Sequence, residues 1–196
     1  MEELKHRLHA DRLASFVRLK GGYPVPLAGV VYWAALGMAG YHLEPNDWIL
    51  AAFVGSGMIF PVALLLAKLL RNDFMKDKTA TGDVLLPAFV SMLIFWPIAF
   101  AAYGTAPQLV PLVLAIGMSH HWPVIGWSYG KTGLYSAHAI VRAIGALLIW
   151  AWLPEGRFTL LPFFVAAVNV GTVIAILAAA KREEAIARAA GAERRA

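Results

Sequence analysis

The chain has 196 residues, of which 60% are hydrophobic and only 15% charged, a balance that a soluble core cannot hide but lipid can cover. Its net charge of +5 gathers at the ends of apolar segments with no recognition motif beside it, which argues against nucleic acid as a partner. There is no cysteine, so disulfides, thiolate metal sites and a cysteine nucleophile are excluded.

An all-α, polytopic membrane protein is therefore expected, and the elements follow in order. Residues 1–22 form an N-terminal segment in which positions 2–20 place Leu4, Leu8, Leu13, Phe16, Val17 and Leu19 among Lys5, Arg7, Arg12, Arg18 and Lys20. At 100° per residue these apolar positions cover more than half the circumference, so the segment reads as a short interfacial helix of modest amphipathicity. No small-residue cleavage pattern follows, and the first apolar stretch is expected to be retained. Six apolar stretches come next, at 24–41, 48–70, 84–103, 108–127, 134–153 and 158–180. Each is close to the ~20 residues that a helix needs to cross about 30 Å of hydrocarbon. Residues 23–180 are thus expected as a six-helix transmembrane domain and 181–196 as a C-terminal tail. Asn46 and Asp47, and Thr81 to Asp83, offer caps to the second and third spans. Pro61, Pro97 and Pro123 fall inside spans and predict kinks, because each removes a backbone donor and crowds the preceding turn. No internal repeat is evident.

Basic residues set the orientation. The N-terminal segment, the connection after the second span counted with Lys68 at that span's end, the connection after the fourth span and the C-terminal tail together hold fifteen of the seventeen lysines and arginines. The opposite connections hold only Arg157, and Arg142 lies inside a span. By the positive-inside rule both termini are expected to be cytoplasmic, in a multi-pass protein of the cell's inner, cytoplasmic membrane.

Arg142 is the informative residue, because no carboxylate lies in any of the six spans. Tyr135, His138, Arg142 and Gly145 share one face of the fifth span at spacings of three and four. Counted at ~1.5 Å per residue, Arg142 is about 12 Å deep, His138 about 6 Å, and His121 on the antiparallel fourth span roughly 10 Å from the same edge. The short connection near Tyr129 makes these two spans neighbours. Asn169 and Thr172 on the sixth span stand near the midplane and complete a candidate ligand-binding set of His120, His121, His138, Arg142 and Asn169. A rival account has Arg142 snorkel toward lipid phosphate, and His120 and His121 pair with carbonyls freed beside Pro123. A metal is disfavoured, since carboxylate ligands are missing and Arg142 would repel the ion. Ser119, Ser128 and Ser136 lack an acid to orient a histidine base, so no catalytic residue is assigned. No phosphate loop or dinucleotide fingerprint calls for a cofactor.

Gly21-Gly22-Tyr23-Pro24 leading into Gly29 to Trp33, Gly55 to Val62 running to Lys68-Leu69-Leu70, and Gly117 to Pro123 with Tyr129-Gly130 resemble a family of small bacterial integral-membrane proteins that form a domain of unknown function. The resemblance covers about residues 15–155 and implies a membrane fold and no established activity. Three classes of function follow from the residues. The first is a transporter-like or channel-like protein for a small anionic or protonatable solute. The second is a lipid-binding or lipid-modifying protein using the same basic pocket for a head group, and the third a scaffold without catalysis. Membrane lipids, a small anion and a second copy of the chain are the partners these readings name.

Overall fold

A computed structural model describes residues 1–73 and 81–193, all helix and turn. Lys76, Lys78, Arg194 and Arg195 lie outside the described residues. Helix α1 (Glu2–Leu19) ends where Lys20 turns left-handed at φ 47°, ψ 48°, and Gly21 and Gly22 follow at φ 58° and 64°. A Cβ on Gly21 would stand 2.6–2.7 Å from Phe16, Tyr135 and Ile176, so both the backbone and the space demand glycine there. Helix α2 (Pro24–Ala39) then starts on a proline, whose missing N–H is no loss in a first turn.

The three interior prolines break their segments. Pro61, Pro97 and Pro123 each fall in the first turn of a new helix, because the ring crowds the carbonyl four residues earlier. The results are α3 (Pro45–Ser56) with α4 (Ile59–Leu69), bent by 50°, α5 (Leu85–Leu93) with α6 (Trp96–Thr105), and α7 (Val110–Gly117) with α8 (Trp122–Ser128). Helix α9 (Thr132–Trp152) is continuous, and α10 (Leu160–Glu193) runs unbroken past residue 180. The expected caps differ in detail. Glu44 stands at the N-cap of α3, ahead of Pro45, without a side-chain bond. Thr81 instead reaches the Ser128 carbonyl at 3.4 Å.

Among the described residues four segments are long and apolar enough to cross a membrane, Gly82–Thr105, Pro107–Ser128, Thr132–Trp152 and Leu160–Ala189, and the bent pair α3 and α4 makes a fifth if it is one span. Helix α2 has 16 residues, or about 24 Å, less than a bilayer's hydrocarbon thickness. It is the hub of the bundle, packed on α10, α4 and α3. Large apolar side chains such as Val90, Ile98, Phe100, Ile140, Ile144 and Ile174 face outward, while the polar side chains His138, Arg142 and Asn169 face inward. That surface is the pattern of a multi-pass membrane protein.

The connections gather at two ends. At one, the backbone at Gly40 abuts the Phe158 carbonyl, Trp48 meets Phe158 edge to face at 5.1 Å, and Trp150 Nε1 donates to the Gln108 carbonyl at 2.8 Å. At the other, Asn72 Nδ2 donates to the Leu19 carbonyl at 2.7 Å, Arg12 lies 4.4 Å over the Trp127 ring, and Lys131 pairs with Glu183. Among the described residues the basic connections meet at this second end, and Arg157 is at the first.

Candidate functional site in the bundle interior

Helix α9 buries one stripe, Tyr135, His138, Arg142 and Ala146, spaced by three, four and four residues as one helical face requires. Tyr135 belongs to an aromatic cluster with Phe16, Leu19, Trp122, Tyr129 and Ile176. Its hydroxyl donates to the Gly21 carbonyl at 2.5 Å and so ties α9 to the end of α1. Trp122, the residue before Pro123, stacks on Tyr135 at 5.8 Å and lies tilted against His138 at 4.0 Å. It forms the floor between this cluster and the groups above.

His138 is 4% exposed, and its Nδ1 is 2.7 Å from Thr172 Oγ1 on α10. Thr172 has one hydroxyl proton, which goes to the Val168 carbonyl at 2.8 Å. Toward His138 the hydroxyl therefore accepts, which puts the ring proton of the neutral imidazole on Nδ1 and leaves a lone pair on Nε2. That Nε2 is buried and has no hydrogen-bond partner.

One turn further, Arg142 is 3% exposed, and its guanidinium carbon lies 4.9 Å from the centre of the Trp33 ring on α2. A desolvated cation over tryptophan is worth on the order of 2 kcal/mol. Its Nε and Nη2 make no hydrogen bond, and no described carboxylate pairs with it. Snorkelling is thus not what the side chain does: it turns inward to an aromatic face.

His121 sits in the break between α7 and α8, 7% exposed, between the rings of Phe89 at 5.0 Å and Trp122 at 5.8 Å. Its Nδ1 is buried without a partner. Arg142 is near enough to His121, His138 and Tyr32 for its charge to act on each of them. Three of the five candidate residues are therefore brought together. His120 points to the exposed surface, because the break aims consecutive side chains in different directions. Asn169, 1% exposed, donates Nδ2 to the Val165 carbonyl at 2.8 Å and packs against Gly29, where a Cβ would meet its Oδ1 at 2.8 Å. It stands one turn from Thr172 and secures α10 against α2. Ser119 and Ser128 donate to their own helix carbonyls at 2.6 and 2.8 Å, so neither hydroxyl is held ready for a histidine.

The walls of the site were not singled out by sequence patterns. Trp33, Tyr32 and Phe89 come from other helices, and the only sequence signal for Trp33 is the need of an unpaired arginine for an aromatic face. Among the described residues no three His, Asp or Glu side chains converge as a metal-holding group.

Residues 8–179 match the model of a family of unknown function, DUF7010. The chain belongs to this family. No curated protein and no solved structure matches it. The DUF7010 match extends beyond the stretch of resemblance seen in the sequence and takes in most of α1 and the first half of α10, so Trp33, His121, His138, Arg142, Asn169 and Thr172 all lie within the family's span.

Proposed function

We propose that the protein is a transporter-like or channel-like membrane protein whose interior site holds a small oxyanion or protonatable solute between Arg142, His138 and His121. One observation carries the reading: Arg142 Nε and Nη2, His138 Nε2 and His121 Nδ1 are buried polar atoms without partners, concentrated in one place. Leaving such groups unmatched costs about 1–3 kcal/mol each, more for a charge. A guest that accepts from the guanidinium and donates to His138 Nε2 would satisfy both, and a small oxyacid retaining one proton has that chemistry. The helix break at His121 resembles the discontinuous helices that line solute sites in transporters.

In this reading the chain crosses the bacterial inner membrane six times with both tails in the cytoplasm. The charge asymmetry and the gathering of basic connections at one end support it. Helix α2 would cross with the turns that flank it, and reporter fusions at Asn46 and Thr105 should both read periplasmic.

Purified protein in liposomes, tested against formate, acetate, bicarbonate and phosphate with an internal pH dye, should accelerate entry of at least one. Arg142→Lys should lose roughly tenfold, because a point charge cannot replace the two-pronged contact. If no anion enters faster than through protein-free vesicles, and none shifts the melting temperature in an Arg142-dependent way, the solute reading fails.

A further inference from the structure

A second feature lies at the basic end, apart from the interior site. A groove of about 460 Å³ runs between the end of α1 and the outer half of α10, with Leu177 and Ala180 on its floor and Lys20, Lys181 and Arg188 along its rim. Among the described residues Glu184 is its one carboxylate and lies 3.8 Å from Arg188. Lys20 and Lys181 pair with no described carboxylate, and Glu183 is already taken by Lys131. The rim therefore keeps about two uncompensated positive charges.

Its level on α10 matters. From Leu160 to Ala180 the helix carries no charged residue, and Lys181-Arg182 begins the charged run. The groove thus straddles the point where an apolar helix leaves hydrocarbon: aliphatic below, cationic above. Lys20 adds an independent observation. It holds a left-handed φ of 47° at the C-cap of α1, a position that glycine fills far more comfortably. A residue kept in a strained conformation points to a task for its side chain, and that side chain lines the groove.

We propose that this groove seats the phosphate head group of an anionic phospholipid, with Lys20 and Lys181 on the phosphate and an acyl chain along Leu177 and Ala180. The charge and the apolar floor together select a lipid over a free anion, which would use the rim alone. Each cation near a bilayer surface contributes about a fivefold gain in affinity for anionic lipid.

The full chain in neutral detergent, melted with phosphatidylglycerol, phosphatidylcholine or inorganic phosphate, tests this. Phosphatidylglycerol in excess should raise the melting temperature by roughly 5 °C, and the other two should not. Lys20→Gly should melt at or above wild type without lipid, because glycine relieves the left-handed strain, yet lose most of the phosphatidylglycerol shift. Lys181→Gln should lose a similar part, and each variant should bind phosphatidylglycerol about fivefold more weakly by native mass spectrometry. An equal shift from inorganic phosphate would reassign the groove to free anions and overturn the lipid assignment. Wild-type phosphatidylglycerol shifts in both variants would overturn the site. Neither result bears on Arg142, which lies in the interior.

Discussion

Tyr135 and Arg142 stand two turns apart on one buried stripe of α9, and their surroundings differ in kind. The tyrosine is enclosed by matched partners: its hydroxyl reaches the Gly21 carbonyl, its ring stacks on Trp122, and Ile176 and Phe16 close over the turn. The arginine has an aromatic face and nothing to accept its Nε and Nη2 protons. The same spacing on the same helix thus carries a structural polar group and an unmatched one. Hydrogen-bond accounting separates them where periodicity cannot.

The comparison is easiest to break at its structural half. Gly21→Ala combines a left-handed backbone with overpacking against Phe16, Tyr135 and Ile176, terms of about 1–2 and 1–3 kcal/mol. A loss of roughly 3 kcal/mol is expected, visible as a collapse of the folded fraction in detergent. Near-native melting would mean that the junction of α1 and α2 is loose and the enclosure of Tyr135 unimportant.

Tyr135→Phe keeps the ring and removes only the hydroxyl, leaving the buried Gly21 carbonyl unmatched. It should destabilise by about 1–3 kcal/mol. An unchanged denaturation midpoint would place Tyr135 in the same class as Arg142 and dissolve the contrast.

Thr172→Val addresses the group between the two. It removes the acceptor that holds the proton on His138 Nδ1, at a cost of about 1 kcal/mol. Nitrogen NMR of labelled histidine should show the wild-type ring protonated at Nδ1 and the valine variant moving toward the Nε2–H form. A wild-type ring carrying its proton on Nε2 would reverse the hydrogen-bond polarity expected of a guest.

Part of this was legible in the sequence. The apolar stretches, the three proline breaks and the inward stripe of α9 rest on local rules: span length, a missing amide hydrogen, and 100° per residue. The partners of the stripe depend on how helices assemble. Whether His120 or His121 turns inward is decided inside a break, where no helical period applies, and the structure selects His121. Trp33 is distant in sequence from Arg142 and meets it only because α2 lies at the centre of the bundle. The 16 residues of α2 were hidden by apolar residues that continue into the turn at Tyr41, where composition persists but helix does not.

The smallest expected effect tests the unmatched half. Arg142→Leu forfeits the contact with Trp33, on the order of 2 kcal/mol, and leaves some unfilled volume. Against this it removes a desolvated cation and strands no carboxylate, and replacing buried charges by apolar side chains is often neutral or stabilising by about 1–4 kcal/mol. The two nearly cancel, so the variant should melt within about 1 kcal/mol of wild type. Were the guanidinium instead holding α2, α9 and α10 together as Tyr135 holds α1, its removal would cost at least as much as Tyr135→Phe. Melting curves of the two variants in the same detergent decide the matter. An Arg142→Leu protein less stable than Tyr135→Phe would make the arginine a structural brace and take away the reason to look for a guest beside it.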